Sequence, residues 1–159
     1  MADKTPIPSV LTGWARRHGF DCDNINSRID NGMSALMLAA MQGELEIVRV
    51  LVTGGADVNL INDDENNALW FACVSDELFI VQELLHTHCN INNQNVNGAT
   101  CLIYCASTGK YDILRELVDA GADISKQTLD GFTALDSATT LPILKFLKPM
   151  YHAPRATTH

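Results

Sequence analysis

The stretch Ser34–Asn59, SALMLAAMQGELEIVRVLVTGGADVN, decides how the rest of the chain reads. Ser34 offers a side-chain oxygen to the orphan amides of a helix start. Ala35 to Met41 then form a short helix with Leu36, Ala39 and Ala40 on one side, and Gly43 ends it. Glu44 opens a second helix, with a carboxylate where the helix dipole favours one. Leu45, Ile47, Val48, Leu51 and Val52 recur along it at three- and four-residue steps, the pattern of one buried face. Gly54 and Gly55 supply a residue that turns left-handed at no steric cost, and Ala56-Asp57-Val58-Asn59 leads out in an extended turn. The small Ala39 and Ala40 let two antiparallel helices pack closely.

Outward from this unit, the chain repeats it. Leu36, Leu69, Leu102 and Leu135 lie 33 residues apart, as do Ile25, Val58, Ile91 and Ile124. Asn26, Asn59 and Asn92 keep the same interval, with Ser125 in the fourth place. Ser34, Asn67, Thr100 and Thr133, all able to cap a helix, share another register. Gly32, Gly98 and Gly131 share one that Glu65 interrupts. A unit this short cannot hide its apolar face alone, so the period predicts a stack in which neighbours cover one another.

Both ends depart from the period, as the ends of a stack must. Residues 9–18 read as a lone amphipathic helix stopped by Gly19, with Val10, Leu11 and Trp14 covering the first full unit. At the other end Ile143-Leu144-Lys145-Phe146-Leu147 matches Ile113-Leu114-Arg115-Glu116-Leu117 at a distance of 30, so the last unit is shortened. Pro149 is expected to end the last helix, with residues 151–159 a flexible tail.

Composition narrows the function. Eleven Lys and Arg against nineteen Asp and Glu give a net charge of −8 over 159 residues. So acidic a chain is poorly suited to neutralising phosphates or binding an anionic membrane surface, so neither nucleic acid nor membrane is the expected partner. No apolar run reaches the length of a membrane span. Met1 to Pro8 lacks the basic and apolar segments of a secretory signal, so a cytoplasmic monomer is expected. Cys22, Cys73, Cys89, Cys101 and Cys105 are an odd number without paired spacing and read as reduced thiols.

The units resemble the ankyrin repeat. The likeness rests on Ser34-Ala35-Leu36-Met37-Leu38-Ala39-Ala40, Gly43, Glu46-Ile47-Val48 and Gly55-Ala56-Asp57-Val58-Asn59, with weaker copies at residues 67–73, 100–106 and 121–124. It implies an all-α solenoid over residues 9–150, after an extension at 1–8. A capping helix at 9–18 precedes full repeats at about 29–61, 62–94 and 95–127 and a truncated one at 128–150. The family's helix-opening Pro is Ala or Cys here, and its following His is Met37, Trp70, Ile103 or Asp136. His88 stands where a helix-ending Gly is usual; in the left-handed conformation it would carry about 1 kcal/mol of strain.

By the same resemblance, a concave face made of turn tips and first helices contacts a partner protein. Its positions map onto Asp30, Asn31, Met33, Met41 and Gln42, then Asp63, Asp64, Asn66 and Val74. Val96 and Asn97 follow in the third repeat, and Leu129, Asp130 and Phe132 in the fourth. Met37, Trp70 and Ile103, in the register of the family's His, are expected to add apolar area behind an acidic rim, Trp70 as an aromatic anchor. Phe71 reads as core filler, because it shares the register of Leu38. This pattern suits an adaptor or accessory subunit whose partner has a basic and apolar surface. An inhibitor or immunity-type protein masking a basic cleft is the alternative.

Chemistry finds less support. Cys101 and Cys105 share a helix, but no further ligands complete a zinc set. Cys101, in the first turn of its helix, is also readable as a modifiable thiol. His86, His88 and Cys89 cluster in a loop without a fourth partner, and residues 63–67 lack the Gly and bidentate Glu of a calcium loop. No nucleophile elbow, phosphate-binding glycine loop or HExxH occurs. The expectation is a non-enzyme without cofactor or metal.

Overall fold

Each of the four aligned cap residues starts a helix. In the computed structural model, which describes residues 4–152, the side chains of Ser34, Asn67, Thr100 and Thr133 accept the backbone N–H three residues on at 3.1–3.3 Å. These bonds satisfy amides that the helix itself leaves free. The helices are α1 (Thr12–Arg17), α2 (Ala35–Met41), α3 (Leu45–Thr53), α4 (Ala68–Val74) and α5 (Leu78–Leu85), followed by α6 (Cys101–Thr108), α7 (Tyr111–Asp119), α8 (Ala134–Ser137) and α9 (Leu141–His152). Among the described residues there is no strand.

Helices α2, α4, α6 and α8 stack in an inner row, and α3, α5 and α7 in an outer one that α9 completes, each inner helix pairing with the outer helix of its own repeat, α8 with α9. The core lies between the rows. Leu36, Leu69 and Leu102 are buried from the inner side, and Leu51, Leu84, Leu117 and Leu147 from the outer side. Each such leucine contributes on the order of 2–3 kcal/mol through burial. Ala39, Ala72 and Ala106 are buried among them, keeping the helices close.

A seam of side-chain bonds follows the asparagine register. Asn26, Asn59 and Asn92 accept through Oδ1 the backbone N–H of Asp57, Asn90 and Asp123 in the next repeat, at 2.7–2.8 Å. Each acceptor also receives its local order from an Asx turn two residues before it, Asp57 to Asn59 for example at 2.9 Å. Repeat order is therefore held by polar bonds as well as by apolar packing.

The ends differ from expectation in three places. The N-terminal cap begins as a 3-10 turn, Ser9–Leu11, before α1. Leu11, Trp14 and Phe20 are buried, but Val10 is 75% exposed, because the tighter turn carries it to the outer side. Pro149 does not end the last helix: α9 runs through it to His152. Tyr151, expected in a flexible tail, is half-buried there and donates its hydroxyl to the Ile124 carbonyl. That anchor and the packing of Met150 hold the final turn despite the amide that Pro149 lacks. The remainder of the expected tail, 153–159, and residues 1–3 lie outside the described residues. His88 is not left-handed either; among the described residues, the non-glycine positions with positive φ are Asn31, Glu65 and Asp76. Thr87 closes α5 instead, its hydroxyl donating to Leu84 O at 2.5 Å.

Candidate functional site

Each repeat opens with a tip closed by its own backbone. Ile29, Asn62, Asn95 and Thr128 donate N–H to the carbonyls of Met33, Asn66, Ala99 and Phe132 at 2.9–3.1 Å. The left-handed turn inside each tip falls to Gly32, Glu65, Gly98 and Gly131 in turn. Adjacent tips are bonded to one another: Asp63 N to Asn31 O at 2.9 Å, Val96 N to Asp64 O at 3.1 Å, Leu129 N to Asn97 O at 3.0 Å. Asn62 Oδ1 stiffens the second tip by accepting from Asp64 N and Asn66 N at 3.1 and 2.9 Å. Four tips thus form one continuous ledge beside the inner helices.

Between ledge and helices lies a groove. At the first two repeats it deepens into a cavity of about 490 Å³, reached by the tip residues Asp30, Asn31 and Asp64 and by Leu38, Met41 and Phe71 of the helices. Asp30, Asn31, Asp63, Asp64, Asn97 and Asp130 are exposed on the ledge, as Gln42 is at the end of α2. Apolar exposure continues along the same side at Met41, Val74 and Val96 and grows towards the C-terminal end, where Leu129 is 79% and Phe132 54% exposed.

The register of Met37, Trp70 and Ile103 does not supply the groove. Met37 is fully buried, its sulfur 3.5 Å from the Ser34 N–H, and Ile103 is buried as well. Helical side chains lean back towards the preceding turn, which tucks this register beneath the cap. Trp70 is half-buried and tilts against Tyr104 with ring centroids 4.8 Å apart, so it packs between repeats as much as it faces outward. The next register does reach the groove: Leu38 and Phe71 line the cavity, and half-buried Phe71 also packs against the core, in keeping with its reading as filler. Met33 and Asn66 are largely buried in its wall. Ile29 and Asn62, absent from the expected contact residues, line it too. They share one register 33 residues apart, immediately before the exposed acids Asp30 and Asp63, and that spacing was the available signal.

Three of the five thiols occupy the opposite environment. Cys73, Cys101 and Cys105 are buried, Cys101 included, which removes it as an accessible modifiable thiol. Contact with the Cys101 thiol, together with burial, holds Cys73 protonated well above the usual thiol range; contact with Cys73 and burial do the same for Cys105. A thiol so placed is inert packing. Nearby, the Lys110 ammonium donates to Val74 O at 3.3 Å and sits 5.8 Å from the Tyr104 ring centroid. Among the described residues, no three His, Cys, Asp or Glu side chains are grouped to hold a metal ion. Nor is any helix there long and apolar enough to cross a membrane.

A family model described as ankyrin repeats, in three copies, matches residues 10–95 and 74–154. No curated protein matches the chain.

Proposed function

This chain belongs to the ankyrin-repeat family, and we propose that it works as a non-catalytic docking module, an adaptor or accessory subunit that holds another protein in its groove. Ankyrin repeats are generally protein-binding and non-catalytic. The observation that carries the reading for this chain is the groove itself: exposed carboxylates at Asp30, Asp64 and Asp130 edge a surface with apolar side chains at Met41, Val74, Val96 and Phe132. A polar rim around apolar anchors is the anatomy of a protein interface, and its charge suits a basic and apolar partner in the cytoplasm.

The test is capture of the native partner, followed by titration of that purified partner against variants. Val96→Lys combined with Phe132→Ser removes two exposed apolar side chains and adds a positive charge beside the acidic tips without touching the core. Affinity is expected to fall about tenfold or more, with the melting temperature nearly unchanged. Equal affinity for the double variant would remove the groove from consideration. The chain's net charge of −8 also favours the inhibitor reading. Under it, adding this protein would suppress the partner's turnover, whereas an adaptor leaves turnover intact.

A further inference from the structure

We propose that the C-terminal end of the stack pairs with the same end of a second copy of this chain, so that the protein dimerises at high concentration instead of remaining the monomer expected from its sequence. This goes beyond the docking role and stands without it. Three registers mark the end as an interior interface left open. Val48, Val81 and Leu114 are fully buried, while Leu144, their counterpart in α9, is 39% exposed. Leu36, Leu69 and Leu102 are buried, and Leu135 only half so. The Tyr111 ring packs edge-on against Phe146 of the following repeat, 5.8 Å between centroids, whereas Leu141 in its place is 60% exposed. The polar register is open as well. Arg49 and Gln82 reach forward to Glu83 and Glu116 of the next repeat at 2.7 and 3.0 Å, and Lys145, which follows them in that register, is exposed. Residues 153–159, Ala-Pro-Arg-Ala-Thr-Thr-His, offer no large apolar side chain to cover these leucines.

Charge says what covers them. Residues 128–150 hold two acids, Asp130 and Asp136, and two lysines, Lys145 and Lys148, so this repeat is neutral in a chain of net charge −8. Two copies meet here without the repulsion of the second repeat, which has six acids and no Lys or Arg. The signs are also segregated: both acids lie on the tip and α8, both lysines on α9. A two-fold axis that lays α8 of one copy against α9 of the other sets Asp136 opposite Lys148 and Leu135 opposite Leu144, each pairing made twice. Head-to-tail growth has no open surface to meet, because Ile7, Leu11 and Trp14 are buried and close the other end. The pairing therefore stops at two copies. A face only two short helices wide belongs with the small, transient interfaces, which sets the expected Kd on the order of 100 µM.

The test is sedimentation equilibrium of the full chain from about 10 µM to about 1 mM, a range that brackets the expected Kd. The average mass is expected to rise from 17.4 kDa and level towards twice that value. Over the same range the Leu141 and Leu144 methyl NMR signals move and those of Leu38 and Val74 stay. Leu144→Glu weakens association about tenfold or more, with the melting temperature of the dilute protein nearly unchanged. Lys148→Glu and Asp136→Lys, each at an exposed position, weaken it about fivefold alone. They restore it when combined in one chain or when the two single variants are mixed, because the two-fold sets each changed residue opposite the other. A mass that stays at 17.4 kDa up to about 1 mM overturns the proposal. So does a mass that climbs past two copies, a Leu144→Glu chain that associates as before, or charge variants that fail to rescue one another. If Leu144→Glu unfolds, the charge variants decide. Leu141 and Leu144 signals that move only when a captured partner is added assign the end to that partner and overturn the proposal too.

Discussion

The second and fourth repeats follow one template and meet different fates. In the second, Leu69 is buried between neighbours on both sides, and α4 extends over seven residues. In the fourth, the equivalent Leu135 is only half-buried, and α8 stops after four. The same leucine contributes according to how many neighbours cover it, so stability in this chain is a property of interfaces more than of repeats. The fourth repeat makes up part of the difference with bonds of its own. Asp136 bonds back to the Thr133 N–H at 3.0 Å to complete a capping box, and the Tyr151 hydroxyl ties α9 to Ile124.

The sharpest way to break the comparison is truncation of the aligned leucines. Leu69→Ala and Leu102→Ala are each expected to lower stability by about 2–5 kcal/mol, and Leu135→Ala by less than about 2 kcal/mol, measured by urea unfolding. Equal losses at all three would mean that the fourth repeat is as well covered as the second. Next comes the contact between the third and fourth tips. A Cβ at Gly98 would lie 2.8 Å from Leu129 N, and the residue's φ is +75°. Gly98→Ala should therefore destabilise by about 1–3 kcal/mol and speed amide exchange at Leu129, which hydrogen-exchange NMR would register.

Smaller effects belong to the compensating bonds. Tyr151→Phe keeps the ring and removes the hydroxyl; a loss of about 1 kcal/mol is expected, with faster exchange confined to α9. If exchange rises throughout the stack instead, the last helix is more tightly coupled to the interior than its position suggests. Smallest is a pH effect. The Thr133 backbone and hydroxyl bonds hold the Asp136 carboxyl below its ordinary pKa. A carboxyl whose pKa is lower folded than unfolded stabilises above the unfolded value, and that contribution disappears as pH falls through the folded one. Acid unfolding of the fourth repeat should thus flatten in Asp136→Asn, with the first three repeats unaffected.

Much of this architecture was legible because it follows from local chemistry at a fixed spacing. Ser34, Asn67, Thr100 and Thr133 cap where any short acceptor would, and Leu36, Leu69 and Leu102 face inward because small alanines share their side. The groove was harder to read. Met37 and Leu38 are adjacent in sequence but about 100° apart around the helix, and choosing between them needs the lean of the side chain under the capping turn. Resemblance to a pattern built on His pointed to the wrong member of the pair. The run of α9 past Pro149 could not be seen, since it depends on Tyr151 reaching a carbonyl 27 residues earlier.

The asparagine seam has a mechanical corollary. Asn26, Asn59 and Asn92 each reach forward to the following unit, whereas Ser125 turns its hydroxyl onto its own neighbour Asp123 at 2.6 Å. A chain pulled from its two ends would meet the least lacing at that finish. It should therefore peel from there, shedding units in sequence under rising force, while the Asn66 end of the groove is the last to lose its shape.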